Sequence, residues 1–184
     1  RPHAKESSVS PPRSPARTRA TRSAARPPGA PARAEEVDPI LAGTLRLLGG
    51  SRTLKSSPRS RLEVHDLITR GLPVTSVDAI QASFPSIGRE RLSRMLGTSI
   101  RTLQRKSGEQ RAALEPDQSG SLWAVASLLS KAESVLGTRA LAVAWLDRPQ
   151  RGLDGRAPVE LMTTTPGRQE VELLLDRIDS GVYV

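Results

Sequence analysis

From Val37 onward, apolar residues recur at three- and four-residue intervals, the spacing that gathers them on one side of an α-helix. Val37, Ile40, Leu41, Thr44, Leu45 and Leu48 set the first such stripe. Asp38 stands at the cap, Pro39 in the first turn, and Gly49-Gly50 at the stop. Arg52 to Pro58 reads as a loop. Ser60-x-x-Glu63 then forms a capping box, which starts a helix that ends at Gly71. Val77 and Ile80 mark a third helix, stopped at Phe84-Pro85. A fourth, from about Arg89 to Leu96, buries Leu92, Met95 and Leu96 before Gly97 breaks it. Ser99 caps a fifth helix through about Glu109, with Ile100 and Leu103 expected to face inward.

The second half continues the period. Leu122, Val125, Ala126, Leu129, Ala132 and Leu136 predict a long helix from Ser119 to Leu136, closed by Gly137. Thr138 caps a helix to Asp147, and Pro158 opens a single turn to Met162. Thr165 as cap and Pro166 as first helical residue start a last helix, with Val171, Leu174, Leu175 and Ile178 inward and Gly181 at its end. No alternating β-branched run competes with these helices, and nothing repeats at solenoid periods, so the fold expected is all-α. With one Phe and one Tyr in 184 residues, the core must be Leu, Ala, Val and Ile. At about 25 cal/mol per Å² such a core buries limited area, and the subunit is expected to lean on oligomerisation.

Composition changes the picture at the start of the chain. Arg1 to Arg33 is Pro, Ala, Ser, Thr and Arg with Val9 its only large aliphatic residue, so residues 1–36 are expected to be disordered. The stretch also resembles an organelle transit peptide but lacks an amphipathic stripe. Because the chain opens on Arg1 rather than Met, a start upstream is expected. The net charge of +9 is unevenly spread: +7 over residues 1–34, zero over 35–87, +5 over 88–111 and −3 over 112–184. A helical region over 37–112 with a basic end thus joins an acidic one over 113–184. The tail itself reads either as a solvated extension or as a nucleic-acid tether whose hold weakens steeply with salt.

Several chemistries have no residues to carry them. No run of about 18 apolar residues occurs, so no membrane span is expected. There is no Cys, which removes disulfides and thiolate metal sites and fits a cytoplasmic setting. His65 and Asp66 are adjacent and diverge around a helix, His3 lies in the tail, and no Gly-rich phosphate loop follows a strand. Glu172 and Asp176, four apart, read as a solvated helix face. No catalytic residue, cofactor or metal is expected.

The unit Leu92-Ser93-Arg94-Met95-Leu96-Gly97-Thr98-Ser99-Ile100-Arg101-Thr102-Leu103-Gln104-Arg105 is organised as a helix-turn-helix. Leu92 and Leu96 pack the first helix, Gly97 permits the turn, and Ser99 caps the second. Arg101, Thr102, Gln104, Arg105 and Lys106 are left pointing outward. These are types that read DNA: Arg for guanine edges, Gln for adenine edges, Thr and Lys for phosphates or methyl groups. A plain helical hairpin with a solvated charged face is the alternative. No aromatic residue interleaves with the cations, so stacking on single-stranded bases is not expected.

The last forty-odd residues hold Gly, Pro and Arg where helix periodicity does not require them, and the chain ends on Gly181-Val182-Tyr183-Val184. Trp145 reads as a core anchor, Gly155 and Pro158 as loop shapers, and Arg156 as either a loop salt bridge or an interface residue. Arg168 and Arg177 sit at opposite ends of the last helix, Arg177 beside the tip. Asp176 and Asp179 place acidic groups near the tip, and Tyr183 a ring with one hydroxyl flanked by Val182 and Val184. A frayed terminus is the bland alternative for that tip.

Together, Arg101-Thr102-Leu103-Gln104-Arg105, Trp145-Leu146 with Pro149, Leu153-x-Gly155-Arg156-x-Pro158-x-Glu160-Leu161, Thr164-x-x-Gly167 and Ile178-x-x-Gly181-Val182-Tyr183 resemble the Xre/MbcA/ParS antitoxin family, from about Gly71 onward. The resemblance implies an Xre-type helix-turn-helix that binds the promoter of its own operon, through Ser99, Arg101, Thr102, Gln104, Arg105 and Lys106. It also implies a C-terminal domain that inhibits a RES-type, NAD-consuming toxin, through Arg156, Arg177, Asp179, Gly181, Val182, Tyr183 and Val184, the end of the chain covering the toxin's active site. Family antitoxins tend to dimerise. The chain departs from the family at Gly120-Ser121-Leu122, where an acidic residue and Arg often precede the Leu, and at Thr98, often Ile. A stand-alone helix-turn-helix regulator with a C-terminal dimerisation domain is the competing reading.

Overall fold

A computed structural model describes residues 38–109 and 112–182. The tail expected to be disordered lies outside the described residues, as do Tyr183 and Val184. The elements are α1 (Pro39–Leu47), α2 (Gly50–Leu54), α3 (Arg61–Arg70), α4 (Thr75–Ser83), α5 (Arg89–Met95), α6 (Ile100–Ser107), α7 (Pro116–Leu136), α8 (Arg139–Leu146), α9 (Pro158–Leu161) and α10 (Thr165–Asp179), with 3-10 turns at Pro85–Ile87 and Arg151–Leu153. Among the described residues the only β contacts are two isolated bridges, so the fold is all-α as the periodicity predicts.

Three boundaries differ from the sequence expectation. Gly49 and Gly50, at φ +97° and +67°, stop α1 at Leu47 as expected, but the chain enters a further helical turn at once instead of a loop. The one-turn helix α2 occupies the start of the expected loop because Leu54 is drawn into the core at 6% exposure, and a single apolar residue leaves no periodic signal. Helix α7 begins at Pro116 rather than Ser119: Glu115 and Gln118 form a capping box, the Glu115 amide donating to Gln118 Oε1 at 3.3 Å. Ser119 is instead buried, its hydroxyl accepting the Leu72 amide at 2.8 Å. In α10 the cap is Thr164, whose hydroxyl accepts the Gly167 amide at 3.1 Å, one residue before the expected Thr165.

Helix α7 is the spine. Its stripe Leu122, Val125, Ala126, Leu129 and Ala132 is fully enclosed, and α1, α3, α8 and α10 all pack on it. Helix α1 crosses it closely. A Cβ at Gly43 would stand 2.1 Å from Ser130 Oγ, which donates to the Ile40 carbonyl at 3.0 Å. One turn of α7 then holds three neighbours electrostatically. The Glu133 carboxylate, 10% exposed, accepts from Arg46 of α1 at 2.7 Å and from Arg139 of α8. Lys131 lies between Asp176 at 2.7 Å and Glu172 at 3.2 Å on α10. Glu172 and Asp176 are therefore not simply a solvated face: half-exposed, they clasp a lysine that spacing within α10 alone could not reveal. Burial works against the Lys131 ammonium, but hydrogen bonds and charge from Asp176 and Glu172 outweigh it and hold its pKa above the ordinary lysine value.

The chain leaves α6 and pairs briefly with the α3–α4 connection before entering α7. Val74 N–H donates to Ala112 O at 3.0 Å and Leu114 N–H to Leu72 O at 2.8 Å. This short antiparallel contact brings the helix-turn-helix back onto the spine.

Candidate functional site

The candidate DNA interface is built by α5, the turn at 96–99 and α6. Leu92, Met95 and Leu96 are buried on α5. Gly97 takes φ +64°, a left-handed conformation that side chains resist, with open space around its Cβ position, so backbone geometry rather than crowding calls for glycine. Ser99 Oγ accepts the Thr102 amide at 3.0 Å and shares a hydrogen bond with Thr102 Oγ1 at 2.8 Å. Both hydroxyls thus brace the helix start. Leu103, 1% exposed, carries the contact with the rest of the fold.

Arg101, Gln104 and Arg105 are exposed, as the pattern predicts, with Arg105 holding Glu109 at 2.8 Å one turn on. Two expectations fail here. Lys106 does not point outward: 14% exposed, it donates to Ala113 O at 3.2 Å and pairs with Glu115 at 2.9 Å, fastening α6 to the start of α7. Ile100 does not turn inward. Leu103 fills the inward position, and Ile100, about 60° round the helix, is left 38% exposed. Sequence reasoning also missed Arg89, counted only as part of the local charge. Its guanidinium joins Asp78 of α4 at 2.7 Å to Ser107 of α6 at 2.9 Å, bracing three helices. Eleven residues separate Arg89 from Asp78, beyond any helical spacing that could have signalled the pair. Arg94 and Arg101 make no ion pair among the described residues, and with Arg105 they are the exposed basic residues of α5 and α6.

At the C-terminal end, residues 150–156 form a compact loop. Gln150 N–H donates to Arg156 O and Gly155 N–H to Gln150 O, both at 3.0 Å, while the Gln150 side chain donates to the Trp145 and Arg148 carbonyls and so closes α8. Trp145 is half-buried against the core, and Pro158 is buried as the first residue of α9. Arg156 is exposed beside Leu161 and Glu170 and makes no ion pair among the described residues. The loop salt bridge, one of its two alternatives, is therefore not formed.

The end of α10 is pinned rather than frayed as far as Val182. Gly181, at φ +72°, donates to Ile178 O at 3.0 Å, and Val182 N–H reaches back to Arg177 O at 2.9 Å, the paired bonds of a Schellman cap. Val182 is held there 57% exposed, next to exposed Arg177 and Asp179. Asp176, expected as a free acidic group, is engaged by Lys131. Arg168 serves the fold: it donates to Met162 O at 3.1 Å and Thr165 Oγ1 at 2.9 Å, and burial lowers its pKa. The structure does not gather the C-terminal residues at one point. Arg156 lies beside Glu170, and Arg177 is two turns further on along the same side of α10, about 10 Å away.

Among the described residues, no helix is long and apolar enough to cross a membrane and no cluster of acidic and His side chains could hold a metal. Against known proteins, residues 63–127 match the antitoxin Xre-like helix-turn-helix domain, and residues 131–181 match the antitoxin Xre/MbcA/ParS C-terminal toxin-binding domain. The border between the two falls inside α7. A protein called Antitoxin Xre from Photorhabdus laumondii is 29% identical over 133 residues, covering 71% of this chain and 88% of the relative. Proteins of the same name from Pseudomonas putida and Yersinia enterocolitica are each 28% identical, over 66% and 64% of this chain and 74% and 79% of theirs.

Proposed function

The chain belongs to the Xre/MbcA/ParS antitoxin family, with a helix-turn-helix domain and a C-terminal toxin-binding domain, and from that premise we propose that it neutralises a RES-type, NAD-consuming toxin and represses its own promoter. The toxin is the enzyme and this chain its inhibitor. The observation that carries the reading is the tip of α10: an exposed Val182, tied by the Gly181 cap back to the Arg177 carbonyl. A preorganised apolar tip loses less freedom on docking than a frayed one. Residues 112–184, with net charge −3, complement a cleft that binds the phosphates of a dinucleotide. In the bound state Val182, Tyr183 and Val184 fill the toxin's cleft, Arg177 and Asp179 pair at its rim, and Arg156 contacts it further along α10. On the other domain Arg101, Gln104 and Arg105 read the promoter, while Ser99, Thr102 and Lys106 hold the reading helix in place. The working unit is a homodimer, whose symmetry matches a two-fold promoter site.

Co-expression with the RES-type protein of the neighbouring reading frame tests the core of this reading: cellular NAD should be preserved. Continued NAD loss in the presence of this chain would overturn it and leave the stand-alone regulator. Removing Gly181 to Val184 should weaken neutralisation and leave promoter binding intact, and equal neutralisation by the shortened chain would exclude plugging by the tip. Replacing Arg101 and Gln104 together by Ala should abolish promoter recognition. Each bidentate base contact carries about 1–3 kcal/mol of discrimination, and an unchanged gel shift would remove α6 as the reading helix.

A further inference from the structure

We propose that Ile100 is a specificity-determining residue that reads thymine C5-methyl groups in the major groove. The inference rests on the promoter-binding reading above and assigns it a contact that the pattern of charges does not reveal. Ile100 is the first residue of α6, directly after the Ser99 cap, and the residue is 38% exposed while Leu103 takes the buried position. Ile100, Arg101, Gln104 and Arg105 are spaced i, i+1, i+4 and i+5, so they share one side of the helix, with Ile100 at its N-terminal edge one turn before Gln104. The N-terminal residues of a recognition helix are those that approach base edges. In the major groove the C5-methyl of thymine is the apolar feature of the base edges, and an apolar side chain in contact with it distinguishes thymine from the other bases.

A single exposed aliphatic residue on a protein surface is ordinary. Its position makes this one informative. It is the apolar member of an otherwise polar and basic reading face, on a helix whose first turn is braced by the Ser99–Thr102 hydroxyl pair. The bracing fixes where the β-branched side chain points, since such side chains have few rotamers in a helix. Arg101 and Gln104 supply directional hydrogen bonds to purines, and Ile100 adds recognition of the pyrimidine that presents a methyl group.

The test uses the full chain and the duplex immediately upstream of its own reading frame, prepared with thymine and with uracil, which lacks only the methyl group. Wild-type protein should bind the uracil duplex about fourfold more weakly per contacted base, the worth of one buried methyl. Ile100→Ala should bind the thymine duplex more weakly and show no further loss with uracil. Ile100→Val, which keeps a branched apolar group, should retain the uracil penalty. Single uracil replacements should then locate the penalty at one position per half-site.

Equal affinity of the wild type for both duplexes, or an undiminished uracil penalty in Ile100→Ala, would overturn the assignment while leaving promoter binding standing. Absence of any sequence-preferring binding to either duplex would instead overturn the promoter reading and this inference with it. If Ile100 is covered by a second copy of the chain, Ile100→Ala should change the sedimentation coefficient and leave the uracil penalty unaltered, which also counts against the proposal.

Discussion

At Gly181 one backbone angle decides whether the end of α10 is an ordered tip. Its φ of +72° costs a residue with a Cβ about 1 kcal/mol, and the two hydrogen bonds to Ile178 and Arg177 exist only if the angle is kept. Gly181→Ala is therefore expected to weaken toxin binding by about fivefold with no change in promoter affinity, and calorimetric titration of the toxin would read it. An unchanged toxin affinity would show that the cap does not serve docking. The glycine was legible from the sequence as a helix stop, but its two reach-back bonds were not. At the other end of the molecule, Arg101 and Gln104 were readable as outward residues, whereas Lys106 was not. Helical spacing places Lys106 nearer the buried Leu103 than the basic face, and the Glu115 and Ala113 groups that receive it come from a segment whose return path is tertiary.

Between elements, the joint of α10 to α7 gives a pH-dependent prediction. The Lys131 pKa is raised above 10.5 in the folded state, through hydrogen bonds and charge from Asp176 and Glu172 that outweigh burial. A group with a raised folded pKa stabilises fully below its unfolded value and loses that contribution as pH rises through the folded one. Lys131→Met is expected to lower the melting temperature at neutral pH. The gap from wild type should close as pH rises through and beyond 10.5, and thermal melts across that range would check it. A gap that stays constant to high pH would mean the ion pairs contribute nothing. Because the carboxylates are more than half exposed, the effect is a modest one. The element boundaries divide in the same way. Capping residues Asp38, Ser60, Ser99 and Thr138 announced their helices, since each side chain bonds an amide two or three residues on. α2 went unannounced, because its helical turn depends on Leu54 finding a core built by other helices.

For the molecule as a whole, α7 joins the two matched regions, since the helix-turn-helix match ends and the toxin-binding match begins within it. Leu129, fully buried on the spine, is expected to cost about 2–5 kcal/mol when cut to Ala, and promoter binding and neutralisation should fail together as the protein unfolds. Loss of one function alone in Leu129→Ala would show that the two parts fold independently, and circular dichroism melts alongside both binding assays would reveal it. The sequence by itself determined the all-α class, most helix starts, the turn at Gly97 and the outward placement of Arg101 and Gln104. Each of these follows from hydrogen bonds and periodicity within a few residues. Tertiary structure alone decided which groups Arg89 and Lys106 fasten together, that Glu172 and Asp176 hold Lys131, and that Ile100 is left exposed. These outcomes depend on which distant groups arrive at a side chain, and chain-local patterns carry no record of that.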